Sequence, residues 1–223
     1  MKVTRYLKDK GYIINKKRVY RVMKENQLLL KKRIRSGRKR EHVKERRMIA
    51  EGPYEKLQMD IKYIYIQGER RNVYLLSLMD IFTRKVLGYR VWWSMKKQDV
   101  IGLVDEVILK TALLKEVTIR MDNGSQFIAH RARDYLEEIK IRQEFTHVSS
   151  PRENGYIESL HSILEEKVIE KFEFESIKDL EDVLERYFKF YNEERIHSGI
   201  WFRSPERFLR EYQNEKEKLA KYG

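Results

Sequence analysis

The sequence predicts an α/β protein, a mixed five-stranded sheet with flanking helices, preceded by a small helix-turn-helix-like all-α segment. Three observations carry this. Strand-like runs rich in β-branched and aromatic residues follow one another after Pro53. Helical and strand-like patterns then alternate from residue 97 onward. Ahead of both lies a basic stretch whose apolar residues have the spacing of a short helical hairpin.

In chain order, Val3, Tyr6 and Leu7 have helical spacing and Gly11 reads as a C-cap. Asn15 can N-cap a second helix with Val19, Val22 and Met23 as its apolar stripe. That helix carries Lys16, Lys17, Arg18, Arg21 and Lys24 on its other faces, which suits an element lying against phosphates and a groove. A complete unit has a third supporting helix, so residues 1–30 read as an incomplete DNA-binding segment whose missing part lies upstream. Residues 31–52 read as a basic linker that tracks DNA backbone through Lys31, Lys32, Arg33, Arg38, Lys39 and Arg40.

The strand-like runs are LQMDIKYIYI (57–66), NVYLLSLMDIF (72–82) and KVLGYRVWW (85–93), with turn residues at Gly68 and at 83–85. Three consecutive antiparallel strands are their simplest arrangement. A helix is predicted over 97–111, a short buried strand VTIRMD over 117–122 and a helix near 126–139. A fifth strand, IRQEFTHV, spans 141–148, and a strong helix spans 154–172 with Ile157, Leu160, Leu164, Val168 and Phe172 as its core stripe. From Ile177 the tail is helical and packs on the core through Leu180, Val183, Leu184, Tyr187, Phe188 and Tyr191. The core segment is therefore 53–175 and the C-terminal helical extension 176–223.

Composition narrows the functions available. The 223 residues are 41% hydrophobic and 12% aromatic, enough for one ordinary core and a small accessory segment. With no run of about 18 apolar residues and an N-terminus reading MKVTRYLKDK, neither a membrane span nor a secretory leader is expected, which gives a cytoplasmic, nucleoid-associated location. The absence of cysteine excludes disulfides, thiolate metal sites and cysteine nucleophiles. Net charge is +13, and residues 1–50 hold 19 Lys and Arg against 4 Asp and Glu, a balance of +15. The remaining residues hold 29 against 31, or −2, so the excess sits in the first fifth as a nucleic-acid-binding head on a nearly neutral body.

Three acids stand out in segments otherwise rich in apolar residues. Asp60 lies within the first strand, where Leu57, Met59, Ile61 and Tyr63 point one way and Gln58, Asp60 and Lys62 the other, so that Asp60 alone reads as facing water. Asp122 closes the short fourth strand and is followed by Asn123-Gly124, which permits a sharp turn; alone it reads as an ordinary turn-capping Asp. Glu158 lies at the border of its helix's apolar stripe, where a carboxylate can point along the sheet into a cleft. Three such acids can converge at one edge of a sheet and bind Mg²⁺ or Mn²⁺. A pair of these ions about 3.5 to 4 Å apart holds the attacking and leaving oxygens of a phosphodiester.

The ordered set Asp60, Asp122 and Glu158 has thirty-five residues between the last two. Together with the phrases DNGSQF and SPRENGYIES and the tail YNEERIHSGIWFRSPERF, it resembles the DDE transposases related to retroviral integrases. The likeness is to the second open reading frame of bacterial insertion sequences. It implies an RNase H-like catalytic core, the three acids as ligands of two metal ions, and cleavage at element ends by water followed by attack of the freed 3′-hydroxyl on target DNA. It also implies double-stranded DNA partners, both element ends and target, a homo-oligomer on DNA and a helix-turn-helix product of an upstream frame. Asn192, Arg195 and His197 match the Y-N-x-x-R-x-H phrase of the resembling families, which ends near the site, and Asn123, Asn154 and His161 are further candidates to support it. One departure is Glu165, where relatives commonly place Lys or Arg seven residues after the Glu; His161, at plus three, is better placed than Lys167 to stand in. The alternative is a catalytically inactive DNA-binding remnant or repressor of the element. The fragment HRAR at 130–133 alone does not make a tyrosine recombinase, because no second cluster accompanies it.

Overall fold

Polar and apolar residues alternate along LQMDIKYIYI, and that alternation sorts the molecule into two layers on either side of one sheet. A computed structural model describes residues 1–29, 48–111, 116–122, 124, 127, 130–146 and 151–222. A helical hairpin, α1 (Lys2–Asp9) and α2 (Lys16–Glu25), comes first. Strands β1 (Lys56–Ile66), β2 (Arg71–Asp80), β3 (Val86–Trp92), β4 (Val117–Met121) and β5 (Ile141–Phe145) then form one sheet in the order β3-β2-β1-β4-β5. The first three are antiparallel to one another, and β1–β4 and β4–β5 are parallel. Parallel neighbours need crossovers, which α3 (Lys97–Thr111) supplies before β4 and α4 (His130–Glu138) before β5. The mixed five-stranded sheet with flanking helices is thus the fold of the chain.

Because both faces are covered, β2 is buried on both sides: Val73 and Leu75 face one core, Leu76 and Leu78 the other. The first core lies under α5 (Gly155–Leu164) and α6 (Ile177–Glu193), with Ile64, Ile66, Leu160 and Leu184 among its members. The second, under α3 and α4, holds Leu57, Met59, Val104 and Leu136. From α6, Leu180, Leu184, Phe188 and Tyr191 all enter the first core, at roughly 1.5–3 kcal/mol for each side chain fully buried. Ser176 caps this helix reciprocally with Asp179, both bonds 3.1 Å. The last helix, α7 (Pro205–Tyr222), packs Phe208 and Tyr212 against Phe82. In the hairpin, Asn15 Oδ1 accepts the Arg18 N–H at 2.9 Å, the cap expected, and Arg207 Nη1 reaches Asp9 at 3.1 Å. Of the predicted stripe only Val19 is buried, while Val22 is exposed.

Two expectations are corrected. The helix predicted over 154–172 ends as an α-helix at Leu164 and widens through residues 165–169, where the Glu170 N–H bonds Glu165 O at 2.9 Å, five residues back. The wider turn changes the phase of the stripe, so Phe172 is 51% exposed and Phe174, at 1%, enters the core instead. Phe174 is held there by the β1–β2 turn, its N–H donating to Gln67 Oε1 at 2.8 Å. Gly68 is needed at this crossing, since a Cβ would stand 2.1 Å from the Glu175 carbonyl oxygen. Secondly, Asp60, which taken alone could simply face water, does not: its side of β1 is covered by α5, while Tyr63, on the face of Leu57 and Met59, is 61% exposed.

Candidate active site

Asp60 stands on the central strand, and β1 pairs with β4 in the parallel register Gln58↔Arg120. Carried two residues further, that register sets Asp122, just past the end of β4 at Met121, alongside Asp60. The Gly124 N–H donates to Asp122 Oδ1 at 2.9 Å, so this carboxylate closes its turn and also sits beside Asp60. Asn123 lies outside the described residues.

Helix α5 runs along the same face of β1 in step with it. Ile157 N–H donates to Gln58 Oε1 at 3.0 Å, His161 Nδ1 lies 3.3 Å from Asp60 Oδ2, and Lys62 Nζ lies 2.6 Å from Glu165 Oε2. Alternate strand residues repeat about every 6.6 Å and residues one helical turn apart about every 6 Å, so the two rows stay matched over three contacts. Glu158, three residues before His161, shares its flank of the helix. The start of α5 is further fixed by the Glu153 carbonyl, which accepts from Gln58 Nε2 at 3.0 Å and from Arg120 Nη1 at 2.9 Å. Arg120 is itself buried and bonds Glu144 at 3.0 Å.

The electrostatics tie the acids together. Burial pushes the Asp122 pKa up, opposed by the Gly124 hydrogen bond and reinforced by the Asp60 charge. Burial and then the Asp60 charge likewise push Glu158 up. Both carboxylates therefore lie in the field of Asp60. Among the described residues, no three His, Asp or Glu side chains gather closely enough to enclose a metal ion as they stand. Open spacing is what mutually repelling carboxylates favour.

The other predicted residues have distinct surroundings. His161 is buried, with Nε2 3.4 Å from Ser77 Oγ, so it backs Asp60 rather than reaching outward. Asn154 is buried at the start of α5, and its Oδ1 has no hydrogen-bond partner among the described residues. Asn192 clamps the start of β3, accepting from Val86 N–H and donating to Val86 O, each at 2.9 Å. Arg195 Nη1 lies 3.0 Å from both ring nitrogens of His197. Lys16, Lys17, Arg18, Arg21 and Lys24 are all exposed on α2, and Arg21 approaches Glu25 at 3.9 Å. Lys31, Lys32, Arg33, Arg38, Lys39 and Arg40 lie outside the described residues.

Read from sequence, Gln58 and Lys62 are only strand residues, and Ser77 and Arg120 have no role. The available signal was a polar side chain in an otherwise apolar strand, above all Arg120 within VTIRMD. Asp80, also missed, is fully buried and accepts from Thr83 Oγ1 at 2.6 Å and from the Thr83, Phe82 and Tyr54 N–H groups; burial raises its pKa. It is a turn-forming acid away from the Asp60 row.

Comparison with known proteins bears on the same segments. A family model of an integrase core domain matches residues 50–151, a second of the same description matches 139–205, and a model of an HTH-like domain matches 1–36. The transposase for insertion sequence element IS904 of Lactococcus lactis subsp. lactis is 28% identical over 65% of this chain and 57% of its own length. Transposase InsD for insertion element IS2D of Escherichia coli is 28% identical over 89% of this chain and 67% of its own length. The chain thus spans from somewhat over half to two thirds of the length of these relatives. Among solved structures, the HTLV-2 integrase catalytic core domain in complex with magnesium superposes with a TM-score of 0.51 at 17% identity, covering 72% of this chain and 98% of that one. That likeness is one of fold, RNase H-like, and no helix among the described residues is long and apolar enough to cross a membrane. The two integrase core domain models together match residues 50–205, more than half of the chain, so the chain belongs to the integrase core domain family and is similar to transposases of insertion sequences.

Proposed function

We propose that this chain cleaves DNA at the ends of an insertion sequence and transfers the freed strand to target DNA, with Asp60, Asp122 and Glu158 as its catalytic acids. The observation that carries the reading is the alignment of Asp60 with Asp122 by strand register and with Glu158 and His161 by the matched rows of β1 and α5. Three hard oxygen donors in one field suit a small divalent cation, whose charge offsets both the burial and the Asp60 repulsion that raise Asp122 and Glu158. Magnesium or manganese held by these three side chains supplies Lewis-acid polarisation of the phosphodiester and activation of the attacking oxygen.

The chain's own residues prepare that chemistry. His161, backed by Ser77, holds Asp60 in place, and the Gly124 N–H orients Asp122. Gln58 and Arg120 seat the start of α5, so Glu158 is carried on a rigid element rather than a loop. Lys62, anchored by Glu165, sets a cation two residues beyond Asp60 on the same face of β1, while the plus-seven position itself is acidic. The exposed cations of α2 meet double-stranded DNA, offsetting the repulsion between acids and phosphates. In this reading the DNA-bound form is a homo-oligomer, residues 53–175 with the extension 176–223 form the catalytic unit, and the protein works in the cytoplasm on the nucleoid.

The test is nicking of a duplex carrying the element's terminal repeats, with and without Mg²⁺. The parent nicks only with the metal, and Asp60→Asn and Glu158→Gln bind the duplex as the parent does but neither nick nor transfer. Intact nicking by Glu158→Gln overturns the assignment. A parent that binds but never nicks makes the chain a DNA-binding remnant of the element.

A further inference from the structure

Away from the acids, cations gather on the opposite flank of α5. Arg84, in the β2–β3 turn, stacks its guanidinium 3.6 Å from the centre of the Tyr156 ring. Tyr156 precedes Glu158 by two residues, about 200° round the helix, so Arg84 and Glu158 lie on opposite sides of it. Arg84 also lies against Gly199, where a Cβ would stand 3.8 Å from its Nη2. This brings it to the turn after His197, whose ring meets Tyr191 at 4.7 Å and Arg195 at 3.0 Å.

Neither Arg84, Arg195 nor Lys2 has a carboxylate within ion-pairing distance among the described residues. Yet the three act together: burial, then Arg195, Lys2 and Arg84, push the His197 pKa down to about 3. Lys2, though solvent-accessible, is held below the usual lysine value by partial desolvation, Arg195 and Lys167. Glu166 acts electrostatically on Tyr187 and pairs with Lys167 at 2.8 Å. Two polar atoms here are buried without a hydrogen-bond partner, Arg84 Nη1 and Tyr187 Oη. Arg84 moreover holds φ +66°, a left-handed conformation that side-chain-bearing residues rarely adopt. Cations without a carboxylate in ion-pairing reach and two orphaned donors, converging from four chain segments, suit an anion.

We propose that Arg84, Arg195 and Tyr187, bordered by Lys2 and His197, form a pocket for a non-scissile backbone phosphate of the DNA that crosses the candidate active site. The proposal rests on the DNA-acting reading above. The phosphate supplies the acceptors that Arg84 Nη1 and Tyr187 Oη lack, and it bridges α1 to the core through Lys2.

The experiment is fluorescence anisotropy of the full chain with a labelled DNA duplex, without divalent cation, over a series of salt concentrations. Each phosphate neutralised contributes about 0.9 to the slope of log affinity against log salt. Arg84→Ala is expected to lower that slope by about 0.9, Arg84→Lys to keep most of it, and Arg84→Ala with Arg195→Ala to lose no more than the single variant, because both arginines serve one phosphate. Melting curves identify a misfolded variant, in which case Arg195→Gln carries the same expectation. An unchanged slope in a folded Arg84→Ala or Arg195→Gln protein overturns the pocket while leaving the DNA-acting reading intact. A parent that does not bind DNA overturns both.

Discussion

Replacing Gln58 by leucine tests whether the first strand holds the helix that carries Glu158. Gln58 is fully buried; its Nε2 donates to Glu153 O and its Oε1 accepts from the Ile157 N–H, both at 3.0 Å. Leucine fills similar space but can do neither. The Glu153 carbonyl keeps its bond from Arg120 at 2.9 Å, so its loss is about 0.5–1.5 kcal/mol. The Ile157 N–H, in the first turn of α5, is left buried and unpaired, at about 1–3 kcal/mol. With the leucine's apolar burial offsetting part of this, the net cost is about 2 kcal/mol, or roughly 4–8 °C in melting temperature for a chain of this size. A shift of Glu158 by about 1 Å lowers the rate of a geometry-dependent step by about 10²-fold. Calorimetry and Mg²⁺-dependent nicking on the same preparation, well below both melting temperatures, measure the two effects. If Gln58→Leu melts and nicks like the parent, the argument that β1 positions α5 is wrong.

Further expectations follow from the same geometry. Magnesium at a hundredfold its dissociation constant stabilises the parent by about 2.7 kcal/mol, raising its melting temperature by roughly 5–11 °C; Asp122→Asn should lose most of that rise. Because the folded pKa values of Asp122 and Glu158 are raised, their favourable contribution is present below the ordinary carboxylate values of 3.8 and 4.5 and is lost as pH rises through the folded values. Without divalent cation, Asp122→Asn and Glu158→Gln should therefore melt above the parent near neutral pH and converge with it in acid, and parallel melting curves across that range count against the raised values. Lys62→Ala should cost under about 1 kcal/mol, since the Glu165 side is 40% exposed, and a Lys62→Glu, Glu165→Lys exchange should restore stability in a double-mutant cycle. Asp80→Ala strips four donors of their acceptor and should cost more than about 3 kcal/mol, with no change in the Mg²⁺ concentration needed for nicking. A Mg²⁺ requirement that moved with Asp80 would place it nearer the chemistry than the Asp60 row.

Local pattern by itself determined the strands, the order of helix and strand after residue 97, the basic hairpin with its Asn15 cap, and the three acids as candidates. Each depends on residues within a turn or a strand of one another, where side-chain period and cap chemistry act directly. The core stripe of α6 was legible for the same reason: Leu180, Leu184, Phe188 and Tyr191 keep one period over about three turns. The end of the stripe in α5 was not, because the wider turn at 165–169 changes the period, and Phe174 enters the core through a bond to Gln67, 107 residues away. Tertiary structure alone decided that the polar face of β1 is roofed by α5, so that Asp60 meets His161 and Lys62 meets Glu165. It also decided that Gln58 and Asn192 serve as clamps, through bonds spanning 95 and 106 residues. A buried polar side chain is tolerated only where a partner completes its hydrogen bonds, and that partner is chosen by the packing of whole elements rather than by neighbours in sequence.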